Sequence, residues 1–104
     1  MGIRKRDREH LDRVASIGCI ACLNMGYEGS IAEIHHPRRL GSMGKKASDR
    51  AAIPLCFKHH RTGGYGVAIH SGQARWEEIH GTEYALLCQV YELIDEPIPD
   101  ELVR

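Results

Sequence analysis

Hydrophobic residues recur at helical spacing near both ends of the chain and form short runs between them. The first segment is strongly charged except for one apolar face, which predicts a basic helix over residues 4–17 that ends at Gly18. The last segment predicts a helix within residues 82–95, capped by Thr82 and stopped by Pro97. Its apolar face consists of Leu86, Leu87, Val90, Leu93 and Ile94.

The middle of the chain predicts two short strands separated by a polar loop. Residues 30–36 and 51–55 suit the strands, and residues 37–48 are rich in Gly and basic side chains without an apolar period. A helix or turn is expected at 56–61, and a short helix at 72–80 with Ser71 as its N-cap. The pattern therefore predicts an α+β fold with flanking helices.

Length and composition favour one small domain that needs an additional constraint. A chain of 104 residues lies near the lower limit at which a hydrophobic core alone stabilises a fold comfortably. We expect a single domain over residues 1–104, with a basic helix at 1–17, a core at 18–80 and a last helix at 82–95. Seven His residues are more than such a core needs, which points to metal or acid-base chemistry.

The charges of the chain are segregated although the formal net charge is zero. Residues 38–61 contain seven Lys or Arg and one Asp, whereas residues 63–104 contain eight acidic residues and two Arg. A local basic surface can still contact phosphates, so a nucleic-acid partner is not excluded. The N-terminus has no apolar secretion signal and no segment reads as a membrane span, so we expect a reducing, cytoplasmic location and no membrane partner.

Cysteine and histidine spacing predicts a structural zinc site. Cys19 and Cys22 are separated by two residues, and Cys56 and His59 repeat that spacing further along the chain. Three thiolates and one imidazole form a donor set that suits tetrahedral zinc. The alternative is that Cys56 is a core thiol and the first pair is a redox or unpaired couple. Cys88 lies in an apolar stretch and is expected to be a small core residue.

Four further histidines cluster around the segments that this zinc would bring together, namely His35, His36, His60 and His70. Adjacent residues at the end of a strand point to opposite faces, so one of the first two can hold a metal while the other faces a substrate. A metal ion can neutralise charge that develops on a phosphate, and a free imidazole can activate water. His10 and His80 are distant in sequence and are expected at the surface.

The order of these motifs resembles the HNH, or His-Me finger, endonucleases. The matching segments are CIAC, EIHH, PLCFKHH and VAIH, which cover about residues 18–80. Within that superfamily the run AEIHHPRRLGSMGKKASDRAAIPLCFKHHRTGGYGVAIHSG looks closest to the phage Ref-type RecA-dependent nucleases. The resemblance implies a zinc-stabilised ββα-metal domain and a DNA endonuclease of phage or prophage recombination or repair. It also implies DNA as a partner and a connection with the RecA filament.

Residue roles follow from the resemblance position by position. His36 matches the general base, and His35 and His60 match ligands of a catalytic divalent ion, which the sequence does not identify as Mg²⁺, Mn²⁺ or Zn²⁺. The last ligand of many HNH enzymes would fall at Gly64, so His70 is the nearest substitute. The family's middle Asn is absent from its usual place, and Asp49 either orients His36 or is a turn residue.

A basic group beside these histidines is predicted to contact DNA phosphates, with a plain solvated surface as the alternative. Its members are Arg38, Arg39, Lys45, Lys46 and Arg61. The segment GSMGKKAS lacks the spacing of a phosphate-binding P-loop, so no nucleotide cofactor is expected. The alternatives to a nuclease are a non-catalytic zinc-stabilised module for DNA binding or partner docking and, with least support, a redox protein that uses CIAC.

Overall fold

The computed structural model of the protein describes residues 5–38 and 48–104. Within them, α-helices surround a two-stranded sheet, so the predicted mixture of helices and strands is confirmed. The helices are α1 Lys5–Ser16, α2 Ile20–Asn24, α3 Gln73–His80 and α4 Glu83–Leu93, and the strands are β1 Glu33–His35 and β2 Ile53–Leu55. Short 3-10 turns occupy Asp49–Ala51, Ile69–Ser71 and Asp100–Leu102, and a π-helical turn occupies Lys58–Thr62.

The two strands pair antiparallel and are shorter than the sequence pattern predicts. Glu33 lies opposite Leu55, and His35 lies opposite Ile53. The predicted second strand began at Ala51, but the Ala51 amide donates to the Ser48 carbonyl at 2.9 Å and thereby closes a 3-10 turn. His35 is therefore the last residue of β1, and His36 is the first residue after that strand.

The core lies between the sheet and the helices. Helix α1 packs on both strands, and α2 and α4 pack on β2. The largest apolar side chains that are fully buried are Ile20, Ile53, Leu55, Trp76 and Leu87. No helix in residues 5–38 and 48–104 combines the length and the apolar character that crossing a bilayer requires.

The predicted buried face of α4 is largely confirmed, and Leu93 is the exception. Leu86, Leu87 and Val90 are buried, but Leu93 is 48% exposed. The helix ends at this residue, and Ile94 turns inward instead. The Ile94 carbonyl accepts a hydrogen bond from Arg13 of α1 at 2.7 Å, which ties the end of α4 to the first helix.

One predicted helix cap is confirmed and the other is wrong. The Thr82 hydroxyl accepts a hydrogen bond from the Ala85 amide at 3.1 Å, as expected of an N-cap. Ser71 does not cap α3, because it is the last residue of a 3-10 turn and its amide donates to the Ala68 carbonyl. Gly72 takes the N-cap position of α3.

The prediction that His10 lies at the surface is wrong. Its side chain is only 3% exposed, and its ring stacks on Tyr91 with centroids 5.6 Å apart. His10 precedes Val14 by one helical turn, so both residues belong to the face of α1 that packs on the core. Cys88 is only partly buried, so its expected place in the core is not fully realised either.

Candidate metal centres

Cys19, Cys22, Cys56 and His59 converge from two separate chain segments. Cys19 is the N-cap of α2, and the Cys22 amide donates to its Sγ atom at 3.4 Å. Cys56 follows β2, and the His59 amide donates to its Sγ atom at 3.5 Å. Each pair of ligands therefore lies on a local turn in which a backbone amide donates to a sulfur. This conformation allows one ion to coordinate both side chains of the pair.

The distances among these four ligands fit a tetrahedral ion. Zn–S bonds of about 2.3 Å and Zn–N bonds of about 2.0 Å require roughly 3.8 Å between sulfurs and roughly 3.5 Å between sulfur and nitrogen. The Cys22 and Cys56 sulfurs lie 3.8 Å apart. His59 Nδ1 lies 3.6, 3.4 and 3.2 Å from the sulfurs of Cys19, Cys22 and Cys56. The cluster thus has the donor set and dimensions of a structural zinc site.

The electrostatics of this cluster favour a bound cation. Burial raises the pKa of the Cys19 thiol to about 12, so forming its thiolate without a compensating positive charge is costly. Burial, with the nearby Lys58 charge, lowers the pKa of His59 below its usual value. His59 is therefore neutral near pH 7, as a metal ligand must be.

His80 is partly exposed and lies beside the Cys3His cluster, so it is not the isolated surface residue that its distance in the sequence suggested. Its ring centroid is 5.1 Å from that of His59 and 4.8 Å from that of Trp76. Burial, followed by the neighbouring His59, lowers the pKa of His80. The last turn of α3 thus covers His59 from outside, because Trp76 anchors that helix in the core.

His35, His60 and His70 form a second cluster. The three ring centroids lie 4.6 to 5.4 Å apart, and one nitrogen of each ring lies within 4.8 Å of the others. His35 ends β1, His60 belongs to the π-helical turn that also contains His59, and His70 belongs to the Ile69–Ser71 turn. The structure therefore brings together the three residues predicted as ligands of a second ion.

Carboxylates hold two of these rings and determine which nitrogen stays free. Glu83 Oε2 lies 2.7 Å from His35 Nε2, and Glu33 Oε1 lies 2.9 Å from His60 Nδ1. A carboxylate oxygen accepts a hydrogen bond from the ring nitrogen that carries the proton. The opposite nitrogen of each ring, Nδ1 of His35 and Nε2 of His60, therefore keeps a lone pair for a metal. Such carboxylate–histidine pairs are the usual support of metal-binding imidazoles.

Glu33 and Glu83 were not among the site residues predicted from the sequence. Glu83 is 1% exposed, and its second oxygen accepts a hydrogen bond from Gln73 at 2.8 Å. A signal for Glu83 existed, because it precedes Leu86, Leu87 and Val90 at the spacing that places all four on one helix face. No comparable signal marked Glu33, whose partners come from a distant segment.

Arg61 binds Glu33 through two hydrogen bonds. Its Nε and Nη2 atoms donate to the two Glu33 oxygens at 3.0 and 2.7 Å. The hydrogen bonds from Arg61 and then His60 lower the pKa of Glu33 to about 2, which keeps this carboxylate charged at neutral pH. Arg61 thus holds Glu33 in the position from which Glu33 orients His60. The predicted contact of Arg61 with DNA stays a prediction.

His36 points to a different partner from His35, as expected for neighbours at the end of a strand. Its Nε2 atom lies 2.8 Å from Asp49 Oδ1, and both side chains are partly exposed. Asp49 is the residue for which the sequence left two alternatives, a turn residue or a partner of His36. Asp49 starts the Asp49–Ala51 turn and its carboxylate also pairs with His36, whereas its role in orienting a general base stays a prediction. Within residues 5–38 and 48–104, no hydrogen bond involves the Nδ1 atom of His36, which can therefore act as an acceptor.

A cavity of about 300 Å³ opens beside the histidine cluster, and His35, Arg38, His70, Gly72 and Gln73 help to line it. Burial, followed by the charges of His60, His35 and Arg38, lowers the pKa of His70. Its imidazole is therefore neutral near pH 7. Arg38 is exposed, and its positively charged guanidinium group belongs to the residues that line this cavity. Of the other predicted phosphate-binding residues, Arg39, Lys45 and Lys46 lie outside the described residues.

Comparison with known proteins gives one family. The sequence profile of the family described as "Recombination enhancement, RecA-dependent nuclease" matches residues 4–95. That span contains both metal-type clusters, His36, Asp49 and Glu83. No curated protein gives a significant match to the chain.

Proposed function

Because the chain belongs to the recombination-enhancement, RecA-dependent nuclease family, we propose that it is a metal-dependent DNA endonuclease of the HNH type. The observation that carries this proposal is the convergence of His35, His60 and His70, together with the His36–Asp49 pair that directly follows His35 in the chain. Such a centre contains the two components that phosphodiester hydrolysis needs, a metal site and a separate base.

The Cys3His cluster is proposed to hold a structural zinc ion. Four protein ligands complete a tetrahedral shell and leave no position for a substrate. Because His59 and His60 are adjacent, the zinc would also determine where the second site lies. The two strands, the zinc-bound turn and the segments that follow would then correspond to the ββα-metal arrangement.

The second cluster is proposed to hold the catalytic ion through His35, His60 and His70. A divalent cation at this position would neutralise charge that develops on the scissile phosphate and on the departing oxygen. The carboxylates of Glu83 and Glu33 keep His35 and His60 in the required tautomers. Arg38, on the cavity wall, would bind a phosphate oxygen of the DNA strand.

His36 is proposed to be the general base. Asp49 accepts the Nε2 proton, so Nδ1 can remove a proton from the attacking water. Attack on the phosphorus forms a P–O bond, and the bond to the departing sugar oxygen breaks. Asp49 stabilises the positively charged imidazole that results, which is the role of a positioning carboxylate.

A cleavage assay over several substrates and metals tests the proposed function. Zinc-loaded protein is incubated with single-stranded, duplex and displacement-loop DNA, with and without RecA, in Mg²⁺, Mn²⁺ or additional Zn²⁺. We expect nicking that requires a divalent ion and that RecA filaments increase. DNA binding without cleavage under every condition would contradict the proposal and would support the non-catalytic zinc-stabilised module.

A further inference from the structure

The turn at residues 63–66 displays one large side chain. Its sequence is Gly-Gly-Tyr-Gly, and Tyr65 is 74% exposed. Gly64 and Gly66 have φ values of 84° and 83°, a conformation that side-chain-bearing residues rarely adopt. The turn thus presents Tyr65 between two positions that favour glycine.

The backbone that carries Tyr65 is anchored to the core. The indole Nε1 atom of Trp76 donates to the Val67 carbonyl at 3.0 Å, and Trp76 is fully buried. The amides of Val67 and Ala68 both donate to the Gly64 carbonyl. Tyr65 is therefore an exposed side chain on an anchored turn. Little backbone freedom would be lost when its ring binds a ligand.

The Tyr65 ring contacts the wall of the cavity beside the histidine cluster at Gly72, although Tyr65 is not itself one of the lining residues. Gly72 forms part of that wall, and a Cβ atom at Gly72 would lie 2.7 Å from Cδ2 and Cε2 of Tyr65. Real Cβ atoms essentially never approach another atom this closely, so a larger residue at Gly72 would displace the Tyr65 ring from this position. Gly72 thus permits an aromatic ring to pack directly beside the cavity that His35, Arg38 and His70 line.

We infer that Tyr65 is a stacking platform for an unpaired nucleobase next to the phosphate that enters the cavity. This inference rests on the proposed function and identifies part of its substrate. Aromatic side chains stack on every base with little sequence preference, and only an unpaired base offers an open face. Arg38 would bind the backbone on the cavity wall while Tyr65 binds the base. The bound strand is therefore unpaired at the cut, as in single-stranded DNA or a displaced strand.

Base stacking can be measured by fluorescence without cleavage. The His36→Ala protein is mixed with oligothymidylate that carries 2-aminopurine at several positions, because stacking on an aromatic ring quenches that base. We expect quenching in this protein, and we expect it to disappear when the Tyr65→Ala substitution is combined with His36→Ala. The double variant should also bind the oligonucleotide about tenfold more weakly. Tyr65→Phe retains the ring and should retain both signals. Persistent quenching after Tyr65→Ala, or none with Tyr65 present, would overturn the inference.

Tyr27 supplies a matched control. It is 65% exposed, and it lines a different cavity, beside Cys22, Cys56 and His59. Tyr27→Ala removes an equally accessible aromatic ring, so it should leave the quenching and the affinity unchanged. Equal losses in the Tyr27 and Tyr65 variants would indicate non-specific contact and would overturn the inference. Zinc content and thermal unfolding of both variants establish that each is folded.

An abasic substrate separates this inference from the proposed activity. A single abasic position is moved along a cleavable strand, and we expect it to slow the wild-type protein at one position next to the cut. The Tyr65→Ala protein should cleave intact and abasic strands at similar, lowered rates. Cleavage that depends neither on the base nor on Tyr65 would refute the stacking contact alone. Tyr65-dependent quenching, together with no cleavage by the wild-type protein under any condition, would refute the activity alone.

Discussion

The Nε2 atom of His35 lies 2.7 Å from the Oε2 atom of Glu83, although 48 residues separate the two in the sequence. Both side chains are almost completely buried. A buried carboxylate needs hydrogen-bond partners, and Glu83 has two, because Gln73 donates to its other oxygen. Helix α4 therefore both covers the core and fixes the orientation of a predicted metal ligand.

Glu83→Gln is expected to weaken divalent-metal binding. The carboxylate accepts from His35 and Gln73 through separate oxygens, whereas an amide has only one oxygen and loses one of these bonds. Removing the carboxylate partner of a ligating histidine commonly weakens metal affinity about 10- to 100-fold. Titration of Mn²⁺ into zinc-loaded protein measures this affinity.

The control for that experiment is Glu78→Gln. Glu78 is an exposed residue that pairs with Arg75 on α3, so its neutralisation should leave Mn²⁺ affinity unchanged. Unchanged affinity in the Glu83 variant as well would show that this carboxylate does not support the second metal site.

Cys22→Ser is expected to remove zinc and unfold the protein. Structural zinc contributes a binding free energy of roughly 10 kcal/mol or more, comparable with the total stability of a small domain. Zinc analysis and circular dichroism test this prediction, with Cys88→Ser as the control because Cys88 is a free thiol outside the cluster. A folded Cys22 variant that keeps one zinc per chain would contradict it.

His36→Ala is expected to silence cleavage without affecting the fold. Loss of a general base lowers the rate about 10²- to 10⁴-fold. Asp49→Asn should lower it about 10- to 100-fold, since the pair at 2.8 Å then loses its charge. Single-turnover nicking rates measure both effects, and zinc content and thermal unfolding should match the wild type. Undiminished nicking by the alanine variant would exclude His36 as the base.

Protonation of His10 is expected to destabilise the folded protein in mild acid. Burial, followed by the Arg50 and Arg13 charges, lowers the pKa of this ring, and both ring nitrogens lack a hydrogen-bond partner among the described residues. The unfolded chain, with a His pKa of about 6.5, therefore binds a proton at higher pH than the folded chain does. The folded protein therefore has its full stability above the unfolded-state pKa of about 6.5, and it loses stability as the pH falls below that pKa.

His10→Phe is the variant that isolates this effect. It keeps a ring beside Tyr91 but cannot take up a proton, so it should lose less stability between pH 7.5 and 5.5. Urea unfolding at both pH values measures the difference, and the zinc ligands, which are also acid-sensitive, contribute equally to both proteins. Equal losses in the two proteins would show that His10 does not titrate in this range.

The predictable parts of this molecule depend on local spacing. The repeated two-residue gaps indicated the Cys3His cluster, and the apolar periods indicated α1 and α4, because each of these patterns repeats within a short continuous segment of the chain. The partners of His35 and His60 depend instead on how distant segments pack. Sequence spacing could not show that Glu83 would be buried against His35, nor that β1 would place Glu33 beside Arg61.

We propose that one chain holds two different metal ions, a structural one at the Cys3His cluster and a catalytic one at His35, His60 and His70. Titration of Mn²⁺ into zinc-loaded protein, with zinc measured in the same samples, tests it most directly. We expect one zinc and one Mn²⁺ per wild-type chain, and one zinc but no tightly bound Mn²⁺ after His60→Ala. An unchanged Mn²⁺ site in that variant would contradict it.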